Sequence, residues 1–235
     1  MTDSDPAALK RAAALKALDY VTDGMKLGLG TGTTAEAFLE VLAPRVKGGL
    51  RITSVASSER TAQKARSLGI AVDDLDNQAP LDLTVDGADE ADRALTLIKG
   101  GGGALLREKI VATSSRRMVV IADETKLVER LGRCPLPVEV TTFSHGTTAA
   151  RVAIAAHELG YEQVPVTLRV RDGKPFVTDG GNYIYDCAFG EITDAQDLAA
   201  AIRAIPGVVE HGLFVGIASA LIIARPDGTE VIERK

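Results

Sequence analysis

The segment that decides the fold reads IKGGGGALLREKI and covers residues 98–110. Its apolar start predicts the end of a strand, and its Ala, Leu, Arg and Glu residues favour a helix. Four glycines join the two, and because they lack a Cβ their N–H groups can closely approach a ligand. A helix N-terminus behind such a turn suits a phosphate or a developing oxyanion. Lys99 adds a cation and Glu108 a carboxylate, although a flexible linker with two surface charges explains this segment alone equally well.

A second strand, turn and helix unit lies nearer the N-terminus, after a helix predicted over residues 5–20. Residues 25–30 predict a short buried strand, and residues 35–46 an amphipathic helix. The turn between them consists of Thr31, Gly32, Thr33 and Thr34. Its hydroxyl and N–H groups suit one phosphate, or else a threonine simply caps the helix. The glycine spacing fits neither the dinucleotide fingerprint nor a P-loop, so nucleotide binding is not supported.

Further strands are predicted over residues 51–56, 70–75, 81–85, 94–98 and 117–122. Polar residues follow several of them: Ser57-Ser58, Asp86-Gly87-Ala88-Asp89-Glu90, and Asp123-Glu124-Thr125-Lys126. Each group also has a simpler interpretation, namely a helix cap at Ser58, a βα turn at the aspartates and an exposed lysine at Lys126. In an open α/β sheet, however, the carboxyl ends of the strands share one edge, where ligands bind. The pattern therefore predicts a pocket for a polar, anionic, hydroxylated molecule.

The carboxylates around residue 86 do not have the spacing of a calcium loop, and no histidine is near them. If Asp86 and Asp89 share a closed site with Glu108, their mutual repulsion raises at least one pKa and favours acid–base chemistry. We therefore expect no metal at this position.

The second half of the chain has a different order of elements. Pro135 and Pro137 break regular structure and suggest a boundary. Beyond them, strands are predicted over 138–142, 164–171, 175–179 with 183–187, and 208–214, and helices over 147–159 and 194–205. This βαββαβ order resembles a ferredoxin-like unit, and a closing hairpin over 218–232 can rejoin the first sheet. The fold class expected is α/β: a Rossmann-like open sheet domain (1–132 plus 213–235) with a smaller α+β ferredoxin-like subdomain (133–212) that carries little obvious chemistry.

The composition is that of an ordinary globular chain of 235 residues, 46% apolar and 25% charged, with a net charge of −5. The absence of Trp and of a basic block disfavours nucleic acid. Cys134 and Cys187 are far apart, which predicts a reducing compartment without disulfides. No apolar run reaches the length of a membrane span and no signal peptide is evident, so a cytoplasmic location is expected.

Taken together, these motifs resemble ribose-5-phosphate isomerase of the A type. The matching stretches are GLGTGTTA (28–35), Ser57-Ser58, VDGADE (85–90), KGGG (99–102) with REK (107–109), and DETK (123–126). Their order and separations fit essentially the whole chain. Two departures are small: Thr33 replaces the usual serine but keeps the hydroxyl, and Leu106 replaces a common polar residue.

The resemblance implies reversible conversion of D-ribose 5-phosphate to D-ribulose 5-phosphate in the non-oxidative pentose phosphate pathway, with no metal or organic cofactor. It implies that Glu108 is the catalytic base, that Asp86 assists ring opening, and that Lys99 and Asp89 orient and stabilise the enediolate. The substrate-binding residues it implies are Thr31, Gly32, Thr33, Thr34, Asp86, Gly87, Ala88, Asp89, Lys99, Gly100, Gly101, Gly102 and Lys126. We also expect a homo-oligomer, a dimer or a tetramer, whose second subdomain shields the pocket or forms an interface.

Two other functions remain open at this point. One is a sugar-phosphate sensor domain, although the short helix before Met25 leaves no room for an attached DNA-binding unit. The other is an enzyme similar to coenzyme A transferases, with Glu108 as its nucleophile.

Overall fold

The computed structural model of the chain describes residues 5–234. The helices are α1 (Pro6–Ala17), α2 (Thr33–Lys47), α3 (Glu59–Ser67), α4 (Leu75–Gln78), α5 (Leu105–Thr113), α6 (His145–Glu158) and α7 (Ala195–Arg203). The strands are β1 (Lys26–Leu29), β2 (Thr53–Ala56), β3 (Leu83–Asp86), β4 (Glu90–Ala91), β5 (Leu97–Ile98), β6 (Met118–Asp123), β7 (Leu136–Val140), β8 (Val166–Leu168), β9 (Val170–Arg171), β10 (Lys174–Pro175), β11 (Tyr183–Cys187), β12 (Val208–His211), β13 (Leu213–Phe214), β14 (Ala220–Arg225) and β15 (Gly228–Glu233). No helix within these residues is long and apolar enough to span a membrane.

The central sheet has the strand order β15-β14-β6-β3-β1-β2. Five of its strands are parallel, and only the edge strand β15 is antiparallel to its neighbour. Its central strand β6 is buried along its whole length, as expected for a strand covered on both faces. The closing hairpin of β14 and β15 rejoins this sheet beside β6, as the sequence predicts.

A second sheet has the order β12-β7-β11-β8 and is entirely antiparallel. Numbered within its own βαββαβ unit, this order is 4-1-3-2, the arrangement expected of a ferredoxin-like fold. Apolar residues of α6 and α7, such as Val152 and Leu198, are buried in one core with Val138 and Val140 of β7. The predicted fold class is thus confirmed.

A third, three-stranded sheet corrects the prediction for the segment before the glycine turn. β5 does not lie in the central sheet; it pairs antiparallel with β4 and β13. The cause is a tight turn in which Asp92 Oδ1 accepts the Thr96 N–H at 2.8 Å while Leu95 adopts a φ of 64°. The chain reverses there and returns along β4.

Two further sequence predictions are wrong in detail. Residues 70–75 do not form a strand, because the carboxylate of Asp73 accepts the N–H of Asp74, and that of Asp74 accepts the N–H of Asp76 to start α4. Pro137 does not end regular structure but lies inside β7, near the strand start where a missing N–H is tolerated.

The strand predicted over residues 208–214 is divided at Gly212, where the chain passes from the second sheet to the third. A Cβ on Gly212 would lie 2.2 Å from the carbonyl oxygen of Lys99. This glycine therefore permits the close approach of the two sheets beside Lys99.

Candidate active site

Three charged side chains meet in the interior beneath the glycine turn. The Nζ atom of Lys99 lies 2.9 Å from Oδ2 of Asp86 and 2.7 Å from Oε1 of Glu108. It also donates a hydrogen bond to the carbonyl oxygen of Gly87 at 2.6 Å. All three side chains are at most 4% exposed. Burying one cation between two carboxylates is costly unless the geometry is close, and such clusters concentrate at functional sites.

The backbone of two turns orients Asp86. Its Oδ1 atom accepts the N–H of Thr31 at 3.0 Å and the N–H of Gly87 at 2.7 Å. Among residues 5–234, no group makes an aligned hydrogen bond with Oδ2, so its interaction is with the charge of Lys99, 2.9 Å away. Gly30 makes this packing possible, because a Cβ there would lie 2.0 Å from Oδ1 and 2.6 Å from the Cα of Asp86.

The contact at Gly30 gives a first prediction. We expect Gly30→Ala to destabilise the protein by about 1–3 kcal/mol and to lower activity, because the backbone at Asp86 has to move. Gly146→Ala is the matched control, since its new Cβ meets nothing within 4 Å and it lies in helix α6. Urea unfolding of both variants tests this, and equal stability of the two would contradict it.

Glu108 lies in the first turn of α5 and faces inward. Burial raises the pKa of its carboxyl group from 4.5 to about 8, repulsion from Asp86 and Asp89 adds to the shift, and the attraction of Lys99 opposes it. Burial alone lowers the pKa of Lys99, but the attraction of Asp86 and Glu108 outweighs it, so the pKa of Lys99 is raised. The site therefore pairs a permanent cation with a carboxyl group that can exchange a proton near neutral pH.

Asp89 binds the glycine turn rather than the lysine. Its Oδ2 atom accepts the N–H of Gly101 at 2.7 Å. Gly100 has a φ of +104° and Gly103 a φ of +87°, values that favour glycine. The four glycines thus form a defined turn that packs against the site. The alternative interpretation of this segment as a flexible linker is wrong.

The turn at residues 31–34 begins α2 with Gly32 as its N-cap residue, and none of the side chains that the structure describes caps the helix. The alternative that Thr33 or Thr34 caps it is therefore wrong. The Oγ1 atom of Thr31 is bonded to the hydroxyls of Ser57, Ser58 and Thr61 at 2.8, 2.9 and 3.1 Å. Ser58 caps α3 by accepting the N–H of Thr61, as predicted.

A cavity of about 950 Å³ opens beside Lys99 and Glu108. Of the residues expected to act on or bind a substrate, it is lined by Thr31, Gly32, Thr33, Thr34, Gly87, Ala88, Asp89, Lys99, Gly100, Gly102, Glu108 and Lys126. Asp86, which is buried, and Gly101, which is exposed, are not among the residues that line this cavity. Lys10 of α1 also lines the cavity and donates to Thr33 Oγ1 at 2.9 Å. The sequence does not predict a role for Lys10 in the site, because the residues around it show only the periodicity of an amphipathic helix.

Glu90 takes no part in the cluster. Its two carboxylate oxygens accept the N–H groups of Gly132 and Cys134. The carboxylate of Asp86 is paired with Lys99, and that of Asp89 accepts the N–H of Gly101. Within residues 5–234, no three His, Cys, Asp or Glu side chains are grouped so as to hold a metal ion.

The sequence of the chain is similar to that of known proteins over most of its length. The family model of ribose 5-phosphate isomerase A (phosphoriboisomerase A) matches residues 53–228. The chain belongs to this family. Ribose-5-phosphate isomerase A of Brucella suis is 57% identical over 96% of this chain and 97% of its own length.

Solved structures of ribose-5-phosphate isomerases superpose closely on this member of the family. That of Plasmodium falciparum has a TM-score of 0.91 and 37% identity, covering 97% of this chain and 99% of its own. Another, a D-ribose-5-phosphate isomerase in complex with phospho-erythronic acid, has a TM-score of 0.90 and 35% identity, covering 98% of this chain and 100% of its own. The family and the fold agree with the resemblance found in the motifs.

Proposed function

We propose that this protein is a ribose-5-phosphate isomerase that interconverts D-ribose 5-phosphate and D-ribulose 5-phosphate. The observation that carries the proposal is the buried carboxyl group of Glu108, which lines the cavity 2.7 Å from the ammonium group of Lys99. An aldose–ketose isomerisation requires one base that reaches two neighbouring carbons and a positive charge that stabilises the enediolate. Membership of the family supports the same reaction.

Each step of the reaction has a residue suited to it. Asp86, fixed by two N–H groups, assists the opening of the furanose ring. Glu108 then removes the proton on C2 of the open chain; the electron pair of the C2–H bond forms the C1=C2 double bond, and the π pair of the C1 carbonyl moves to O1 to give the enediolate. Glu108 returns the proton to C1 while the hydroxyl proton of O2 moves to O1. Lys99 and the glycine turn stabilise the negative oxygen during the transfer.

The opposite end of the substrate carries a phosphate. The unpaired N–H groups at the start of α2 and the positive end of its dipole suit an anion. Lys10 and Lys126 line the same cavity and add positive charge. We assign the phosphate to this end, with Thr33 and Thr34 as hydroxyl donors. The complex of a related isomerase with phospho-erythronic acid, itself a phosphorylated sugar acid, supports a ligand with an anion at each end.

The function is tested by adding ribose 5-phosphate to the purified protein and following the formation of ribulose 5-phosphate, with and without an exhaustive chelator. We expect turnover under both conditions. Absence of turnover would reject the proposal. Loss on chelation and recovery with a divalent ion would instead assign the chemistry to a metal.

The raised pKa of Glu108 predicts a pH dependence. The base acts only as the carboxylate, so kcat/KM should increase about tenfold per pH unit below its pKa of about 8 and level off above it. The second ionisation of a phosphate monoester lies near pH 6, about two units lower, and is therefore distinguishable. A profile that is level from pH 6 to 9 would contradict the shift.

The wider setting follows from the reaction. We propose that the enzyme acts in the cytoplasm, in the non-oxidative pentose phosphate pathway, as a homo-oligomer. The free thiols of Cys134 and Cys187 support a reducing compartment. Light scattering tests the oligomer directly.

A further inference from the structure

Arg169 connects the second sheet to the glycine turn of the active site. It lies between β8 and β9, and its Nη1 atom donates to the carbonyl oxygens of Gly100 at 2.9 Å and Gly101 at 3.2 Å. Its other nitrogens bind the carboxylate of Asp186 on β11, with Nε 2.9 Å from Oδ2. Only 15% of the Arg169 side chain is exposed. The guanidinium group of Arg169 is thus fixed by a bidentate ion pair with Asp186 while it binds the carbonyl oxygens of two consecutive peptide groups.

The planarity of the peptide bond converts these contacts into an orientation of the turn. In a trans peptide the C=O of one residue and the N–H of the next point in opposite directions. With its carbonyl oxygens held by Arg169, the turn directs the N–H groups of Gly101 and Gly102 away from the guanidinium. The N–H of Gly101 accordingly reaches Oδ2 of Asp89 at 2.7 Å, on the cavity side. Among residues 5–234, the N–H of Gly102 donates to no protein group.

The segment that follows Arg169 also covers the far end of the glycine turn. Phe176 packs on Gly103, where a Cβ would lie 2.4 Å from the ring. Glycine turns have many accessible conformations, because glycine loses more conformational freedom on ordering than any other residue. Contacts at Gly100, Gly101 and Gly103 together restrict this turn to one conformation. A guanidinium group on the carbonyl oxygens also polarises the peptides and strengthens their N–H groups as donors.

We propose that Arg169 is a positioning residue for the isomerisation: it holds the glycine turn so that the N–H of Gly102 faces the enediolate while the N–H of Gly101 binds Asp89. This inference rests on the proposed function and adds a residue of the second sheet to it. Arg169 does not touch the reacting atoms. It acts through the turn, and its effect is expected in the transition state, where the negative charge on the substrate oxygen is largest.

The test compares Arg169→Met with Arg171→Met. Arg171 is exposed, lies on the same hairpin and contacts the Phe176 ring but not the turn. Removing an oxyanion donor costs about 10²–10³ in kcat, and misorienting one costs less, so we expect Arg169→Met to lower kcat by about 10- to 100-fold. KM should change by less than about threefold, because binding of the ground state is preserved. Arg169→Lys keeps the charge and should recover part of the loss, and Arg171→Met should stay within about twofold of the original.

A second measurement is independent of activity. Hydrogen exchange of the Gly101 amide should be faster in Arg169→Met than in Arg171→Met, because its bond to Asp89 depends on the fixed turn. Asp186→Asn preserves the shape of the partner and provides a milder variant, with a smaller loss of kcat, should Arg169→Met unfold.

Equal kcat and equal Gly101 exchange in the two arginine variants would overturn the proposal. A KM that increases as much as kcat falls would also overturn it, because it would show a general disturbance of the site. If the unmodified protein does not turn over ribose 5-phosphate, the proposed function fails, while the exchange rates still decide whether Arg169 holds the turn.

Discussion

Replacing Glu108 with glutamine is expected to reduce the isomerisation of ribose 5-phosphate by about 10²- to 10⁴-fold or more. Glutamine has nearly the same shape but cannot accept a proton from C2 of the sugar. Lys99 keeps its contact with Asp86, so the site retains a paired cation and should stay folded. Steady-state kinetics gives the loss in kcat, and calorimetric titration with the sugar phosphate should show that binding survives.

The control for this variant is Glu59→Gln. Glu59 is a carboxylate at the start of the neighbouring helix α3, it is 63% exposed, and its partner is Arg107 rather than the cavity. Glu59→Gln should leave kcat within about twofold of the value of the unmodified protein, because exposed ion pairs contribute little to stability. Near-normal turnover by Glu108→Gln would show that another group is the base.

Replacing Lys99 with methionine is expected to cost about 3–5 kcal/mol of stability in addition to activity, because it leaves two buried carboxylates without their cation. The penalty should grow with pH. Burial already raises the pKa of Glu108 in the folded state, and without Lys99 the attraction that opposes this increase is lost. The folded protein is then favoured at low pH, where Glu108 is protonated in both states, and it loses stability as the pH increases from the unfolded pKa near 4 up to the raised folded pKa. Urea unfolding at pH 5 and pH 8 measures the difference.

Two variants control the Lys99 experiment. Lys64→Met removes a lysine at the surface that is 35% exposed and paired with Glu40, and should change stability by less than about 1 kcal/mol. Adding Asp86→Asn and Glu108→Gln to Lys99→Met removes the uncompensated charges and should restore stability without restoring activity. A Lys99→Met protein as stable as Lys64→Met at pH 8 would show that the buried cluster does not depend on its cation.

The sequence allows much of the fold to be predicted because periodicity and turn residues mark it locally. The threonine turn, the aspartate turn and the lysine–glycine segment each follow a short apolar run, and the family motif connects them. Ser58 at the start of α3 and Asp194 at the start of α7 are helix caps recognisable from residue type alone.

What the sequence does not reveal depends on contacts between distant residues. The strand before Lys99 pairs with β4 and β13, because the turn at Asp92 to Thr96 reverses the chain, and periodicity in two residues cannot assign a sheet. Arg169 lies in a stretch that reads as an exposed strand, and only its contact with Gly100, 69 residues away, gives it a role. The same is true of Lys10, whose side chain reaches the cavity from a helix that otherwise packs on the core.

The most direct test of the central claim is a crystal structure of this protein with a four-carbon phosphorylated sugar acid, whose carboxyl group takes the place of the enediolate. We predict that the Glu108 carboxyl group lies about 2.6–3.2 Å from an oxygen of the ligand's carboxyl group, with Lys99 alongside and the phosphate at the start of α2. A ligand bound with its carboxyl end outside hydrogen-bond reach of Glu108, and with bulk water between them, would contradict the account.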